Sequence, residues 1–396
     1  MVNEMRLKDV TISANTGLDA IKRAPIVEYN TGLKCIRIQD ISQGKDYDDW
    51  GDTEISEKDY EQFRLKRNDL LVARTGATVG VSYLVKKDYN AVFNNGSIRL
   101  RLNKNVNIKF TYYVFQTKSF RQYIDNVSCV ATQPNLRIVN LLRFNLPDCD
   151  LNLQNKIVCA LECYDKALEN NNKRMKALEQ MAENLYKEWF VRFRFPGHEN
   201  AEFENGIPKG WILSTANSYY AKKPRSWHFG NVSEFGEFKR GKNITSTEMI
   251  EGDIPVISAG LEPSGYHCDF NVKGKNITVS ASGANAGYIK YNLDNIWAAD
   301  CSYYQDEKYL WYVYNTLKFL QPVLKNMQCG AAQPHVYPKH INHLNVIIPA
   351  DDIILKYCQI VNPLYDEIKI IHDININLIK QRDLLLPRLM SGKLEV

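Results

Sequence analysis

From Ile157 to Trp189 the apolar positions step by alternating threes and fours: Leu161, Tyr164, Leu168, Met175, Leu178, Ala182, Leu185 and Trp189, with Asn171 as the polar member of the series. This is the heptad seam of a coiled-coil helix, and the residues between are largely Lys, Glu, Asp, Asn and Gln, as a solvated face requires. A shift of 200 reproduces it: Val361, Leu364, Ile368, Ile371, Leu378, Leu385 and Leu389, interrupted by Asn375 and Arg382. The pattern predicts two long helices. A polar seam position either fixes register between paired helices or marks a solvated spot near a helix end, and the spacing leaves both readings open.

The duplication extends upstream of both helices. Cys129-Val-Ala131-Thr-Gln133-Pro134 matches Cys329-Gly-Ala331-Ala-Gln333-Pro334, and Tyr113-Val114-Phe115-Gln116-Thr117 matches Tyr312-Val313-Tyr314-Asn315-Thr316. Leu71-Val-Ala-Arg74-Thr75-Gly76-Ala-Thr78-Val-Gly80 matches Thr278-Val-Ser-Ala-Ser282-Gly283-Ala-Asn285-Ala-Gly287 at a shift of 207. Three blocks in one order indicate an internal repeat whose loops differ in length. Each half mixes short β-branched runs (34–38, 70–73, 97–102 and 277–280) with Gly and Asp turns, and then a helical stretch, about 111–125 and 308–327. The expected class is α+β, built as two tandem α/β domains, each followed by a long helix. Pro and Gly in quick succession after Trp189 make a connector. The expected division is a first domain over 1–150, a helix over 151–192, a connector over 193–211, a second domain over 212–350 and a helix over 351–396.

A helix over roughly residues 153–190 would be about 55 Å long at ~1.5 Å per residue. Parallel pairing would oblige about twenty connector residues to run back along that length fully stretched. An antiparallel coiled coil needs no such return, so it is the expected pairing. It implies a pseudo-twofold object with one domain at each end of a stiff rod. Such an object suits two separated targets, and duplex DNA with half-sites on the order of 34–36 Å apart is the natural candidate.

Composition narrows this only modestly. Of 396 residues, 44% are hydrophobic and 24% charged, enough for real cores. Fifty basic residues against 45 acidic give a net +5, which excludes a histone-like polycation. No apolar run has signal-peptide or membrane-span length, and the nine cysteines fit a reduced, cytoplasmic protein that does not enter a membrane. Residues 1–150 carry 22 basic and 18 acidic groups, while residues 201–350 carry 14 and 13. Clustered Lys and Arg neutralise phosphates, and Arg, Asn, Gln, Ser and Thr read base edges; the alternative for each is an ordinary surface charge.

Catalytic signatures do not emerge. Asn362-Pro363-Leu364-Tyr365 resembles an amino-methyltransferase tetrapeptide but has Leu third and lies in the second heptad segment, with no glycine-rich cofactor loop beside it. Walker A, Gly-x-Ser-x-Gly and His-Glu-x-x-His patterns are absent. Asp46, Asp48, Asp52 and Glu57 mimic part of a calcium loop, but Trp50 takes a ligand position. Cys329, His335, His340 and His343 fit no standard zinc spacing, so no metal site is expected.

The C-terminal Arg382-Asp-Leu-Leu-Leu-Pro387-Arg388-Leu-Met-Ser391-Gly392 resembles the end of type I restriction–modification specificity subunits. Leu185-Tyr-Lys-Glu-Trp189-Phe190, Phe195-Pro196-Gly197 and Gly206-Ile-Pro208-Lys-Gly210-Trp211 are similar to their central region, and the Gly76–Gly80 and Gln133-Pro134-Asn135 blocks to elements of their target recognition domains. The second copy departs from the latter as Gln333-Pro334-His335. The resemblance implies a non-catalytic DNA-binding subunit. Each recognition domain would read one half of a bipartite, asymmetric site, and the helices would set the spacer. Two adenine-N6 methyltransferase subunits and the ATP-dependent restriction subunits would dock on them. S-adenosylmethionine, ATP and Mg would be used by those partners, with no cofactor bound by this chain.

The expected DNA contacts are Arg74, Thr75, Gly76, Thr78, Arg99 and Arg101 in the first domain. In the second they are Lys222, Lys223, Arg225, Trp227, His228, Lys239, Arg240, Lys242, Ser282 and Asn285. Two other classes compete: a stand-alone modification enzyme, which the missing motifs disfavour, and a duplicated protein–protein scaffold without DNA binding.

Overall fold

The computed structural model describes residues 4–128, 134–147, 149–200, 202–204, 207–208, 211–213, 222–224, 227–326 and 335–390. Most of the repeated Gln-Pro blocks (129–133 and 329–334), Arg225, Gly206, Gly210 and the residues from Ser391 onward lie outside the described residues. The chain divides into two compact units: residues 1–169 with 375–396, and residues 170–374.

Both long helices are present, Leu151–Tyr186 and Asp351–Met390. Asp150 starts the first by accepting the Leu153 amide at 2.7 Å, and Asp351 and Asp352 set negative charge at the N-terminus of the second. A π-helical turn, Lys187–Val191, carries Trp189 beyond the regular helix. Each unit contains a stretch of both helices, and within each they run antiparallel. In the first unit Leu386 and Leu389 share a core with Ile157, Val158 and Leu161, while Arg382 Nη1 donates to Asp165 Oδ1 at 3.0 Å. In the second, Tyr357 Oη donates to the Ala182 carbonyl at 3.2 Å and Arg174 pairs with Glu367.

Leu161, Leu178, Trp189, Val361, Ile368 and Ile371 are buried; Tyr164, Leu168, Leu185, Leu364, Leu378 and Leu385 are half-buried. On the second helix Tyr365 and Leu386 are deeper than their seam neighbours Leu364 and Leu385. The reason is that the helix also faces its own unit: Tyr365 stacks on Trp311 at 3.6 Å. Asn362 and Pro363 lie exposed on this helix, while Tyr365 is buried.

The units repeat one topology. The first has a sheet ordered Thr11–Thr16, Ser97–Leu102, Leu70–Ala73, Ser82–Leu84, and the second has Lys239–Arg240, Cys301–Tyr304, Asn276–Ser280, Ile289–Asn292. A further sheet in each ends on a parallel pair, Lys34–Ile36 with Ala91–Phe93 and Ile254–Ile257 with Trp297–Ala298. A two-stranded sheet opens and closes each repeat: Glu4–Arg6 with Asn145–Pro147, and His228–Asn231 with Asn345–Ile348. In the second unit this framework is preceded by the hairpin Trp211–Leu213 with Lys222–Pro224.

The run expected over 34–38 stops at Ile36, and a helix follows at Ile38–Ser42. Asp40 causes the break, since its buried carboxylate accepts the Arg37 amide at 2.9 Å and pairs with Lys45. The acidic stretch after it is structural. Trp50 is buried against Tyr47, Tyr83 and Tyr89, and Asp52 binds Lys34 at 2.8 Å. Among the described residues no cluster of His, Cys, Asp and Glu could hold a metal, and no helix is long and apolar enough to cross a membrane.

Candidate nucleic-acid interface

The Gly-x-x-x-Gly segments are tight turns at the ends of strands Leu70–Ala73 and Asn276–Ser280. Gly76 and Gly80 have φ of 79° and 88°, and Gly283 and Gly287 have 72° and 80°, a region open to glycine without strain. Gly80 N returns to the Ala73 carbonyl at 2.8 Å, and Gly287 N to the Ser280 carbonyl at 2.9 Å. Each turn is braced by the segment following its Gln-Pro block. Thr75 bridges Asn135, Ser282 bridges His335, and Leu136 N donates to Arg74 O at 2.7 Å as Val336 N does to Ala281 O at 3.0 Å. Two blocks far apart in sequence therefore form one structural feature in each unit.

A second glycine pair completes it. Gly17 N donates to Ser97 O and Gly241 N to Cys301 O, the same ladder step in each repeat. A Cβ on Gly17 would sit 2.2 Å from Phe93 O, and one on Gly241 would sit 2.3 Å from Ala299 O. This pair is hidden in the sequence because Gly17 and Gly241 are 224 apart whereas Asn135 and His335 are 200 apart.

In the first unit these turns hold Arg74, Thr75, Gly76 and Thr78, all half-buried, and Arg74 Nη2 donates to Asn135 Oδ1 at 3.2 Å. In the second, Arg240 Nη2 pairs with Asp300 Oδ1, and the Ser282 hydroxyl donates to Asp300 Oδ2. Asn285 lies half-buried on the same turn, while Lys239 and Lys242 are exposed on the strand leading to it and just past Gly241. Tyr337 is exposed beside His335, its ring 5.7 Å away and nearly parallel. Burial, then Lys339, hold the His340 imidazole below its ordinary value.

Two expected contacts, Arg99 and Trp227, are corrected. Arg99 is buried; its guanidinium donates to Asn15 Oδ1 and to the carbonyls of Arg64 and Gln62, over the Phe93 ring. Arg101 forms a fork on the buried carboxylate of Asp69, with contacts of 2.5 and 3.0 Å. Residues two apart on a strand share a face, and here Asp69 holds both arginines, Arg99 buried and Arg101 half-buried. Trp227 is buried against Phe190, Phe193 and Phe195. His228 is exposed and pairs with Glu234 at 3.2 Å, Lys222 and Lys223 lie in the hairpin strand Lys222–Pro224, and Arg225 lies outside the described residues.

Because the buried Asp69 carboxylate offsets the buried Arg99 and also holds Arg101, Asp69→Ala should cost about 3–5 kcal/mol, the penalty for orphaning a buried charge. Chemical denaturation of the first unit measures this. A loss under about 1 kcal/mol would mean that Arg99 and Arg101 are paired by solvent, as surface charges are.

The family model for the type I restriction modification DNA specificity domain matches residues 2–180 and 224–380. The MjaIX type I restriction enzyme specificity subunit of Methanocaldococcus jannaschii is 28% identical over 374 residues, covering 87% of this chain and 83% of the relative. A putative type I specificity subunit of Mycoplasma genitalium, S.MgeORF438P, is 23% identical over 292 residues, covering 72% and 71%. The crystal structure of a type I restriction–modification S subunit from M. genitalium shares the fold with a TM-score of 0.53 at 18% identity, over 98% of this chain and 95% of that one.

Proposed function

The chain belongs to the type I restriction modification DNA specificity family, and on that premise we propose that its two units read the two halves of a bipartite, asymmetric DNA site. One observation carries the reading. The same turn framework is built twice with different side chains, Arg74, Thr75 and Asn135 against Ala281, Ser282 and His335. A common backbone with unlike reading groups is what two different half-sites demand. The paired helices set the spacer between the halves, and their exposed faces, over 153–190 and 354–390, dock two methyltransferase subunits and the restriction subunits.

In this reading the chain is the non-catalytic subunit of a cytoplasmic complex. S-adenosylmethionine, ATP and Mg belong to its partners, which perform adenine-N6 methylation and ATP-dependent cleavage. A docking scaffold without DNA contact would share the duplication but would contribute nothing to duplex binding or to its salt dependence.

The test is binding of the assembled methyltransferase complex to cognate duplex across a salt series. Phosphate neutralisation imposes a steep linear fall of log K with log salt. Lys239→Ala combined with Lys242→Ala should weaken binding to all sequences alike and make the slope shallower by about 1 for each phosphate contact removed. An unchanged slope with unchanged affinity would take these lysines out of the interface. No salt-dependent binding by the wild-type complex would favour the scaffold.

A further inference from the structure

The first unit has no charged residue at the places of Arg240 and Asp300. Arg240 precedes Gly241 where Thr16 precedes Gly17. Asp300 supplies the carbonyl accepting the Ala281 amide, at 3.3 Å, where Gly96 accepts the Arg74 amide at 2.8 Å. The framework is held constant, and onto it the second unit adds a chain of three groups. Arg240 donates to one oxygen of Asp300 and Ser282 to the other, so the carboxylate is gripped from two separate segments. Both charged side chains remain partly open, Arg240 at 37% and Asp300 at 25% of their areas. Among the described residues Asp300 is the guanidinium's only hydrogen-bond partner.

This is a poor design for attracting phosphate. A carboxylate against the guanidinium cancels its charge, and a phosphate contact needs no fixed plane. What the carboxylate provides is orientation: it freezes a flexible side chain and leaves N–H donors of a planar fork for a second acceptor pair. In duplex DNA the matching pair is O6 and N7 of guanine on the major-groove edge.

Resting on the reading of the second unit as a DNA-reading domain, we propose that Arg240 reads a guanine in the second half-site and that Asp300, anchored by Ser282, is its positioning residue. The first half-site, whose unit has Thr16 and Gly96 at these places, is read by other means.

The experiment maps methylation motifs made by the full chain with its methyltransferase partner, for wild type, Asp300→Asn, Arg240→Ala and Arg240→Lys. Wild type should require a G·C pair at one position of the second half, with a preference of roughly ten- to a hundredfold. Asp300→Asn should keep complex assembly but reduce that preference to within about threefold, at that position alone. Arg240→Ala should relax the same position, and Arg240→Lys, which keeps the charge without the fork, should not restore it. A uniform fall in methylation with the motif intact would assign Arg240 to phosphate and overturn the proposal, as would a second half-site lacking an invariant G·C pair. Reduced assembly or thermal stability without relaxation at that position would make Asp300 a structural residue and overturn it equally. A wild-type complex that methylates no bipartite motif would instead remove the proposed function, and this inference with it.

Discussion

Tyr365→Ala is expected to destabilise the second unit by about 3–5 kcal/mol, the range for removing a large buried aromatic. Tyr365 is 1% exposed and lies flat on Trp311, with ring centroids 3.6 Å and planes 5° apart. The edges of Tyr291 and Tyr314 close the cluster at 5.4 and 6.1 Å. This is where the second long helix is fastened to its unit, so the vacated volume cannot be filled without moving the helix. Tyr365→Phe keeps the stack and loses only the hydroxyl that accepts from Asn315 at 3.4 Å. It should cost about 1 kcal/mol. Denaturant unfolding followed by the emission of Trp311 and its neighbours compares the two variants. Equal, small losses would show that the stack is not what holds the helix.

Gly17→Ala and Gly241→Ala are expected to disable one unit each. The added Cβ would lie 2.2 and 2.4 Å from the Phe93 and Asn94 carbonyl oxygens, or 2.3 and 2.6 Å from those of Ala299 and Ala298. These are backbone atoms and cannot rotate away, so the turn must shift, at a cost of about 1–3 kcal/mol. The shift displaces what the turn carries, Arg240 in the second unit. Binding of the assembled complex to duplexes with one half-site scrambled isolates the effect. Wild type should lose affinity on scrambling either half. Gly241→Ala should become indifferent to scrambling of one half, and Gly17→Ala to scrambling of the other. If both variants lose sensitivity to the same half, the units do not read separate halves.

What the sequence disclosed depended on how far each signal reaches along the chain. The heptad seam is local, and it placed Leu161, Leu178, Val361 and Ile368 where burial is found. The Gly76–Gly80 and Gly283–Gly287 turns were legible because positive φ selects glycine at fixed intervals. Arg99 was misread because its partners, Asn15, Gln62 and Arg64, are brought together only by the sheet. Trp227 was misread for the same reason, as its aromatic neighbours lie more than thirty residues upstream. Gly17 and Gly241 were hidden by a repeat offset that drifts from 224 to 200 as loops shorten along the second copy. Asp300 carried no motif at all; its role becomes visible only when its place is compared with that of Gly96.

The most direct test of the central claim is the adenine-methylation map of a host genome carrying this gene and its methyltransferase partner, with the gene present and deleted. Two separated half-sites with a fixed spacer, methylated only when the gene is present, are the expected result. An identical map in both strains, with the partner shown to be active through another specificity subunit, would contradict the account.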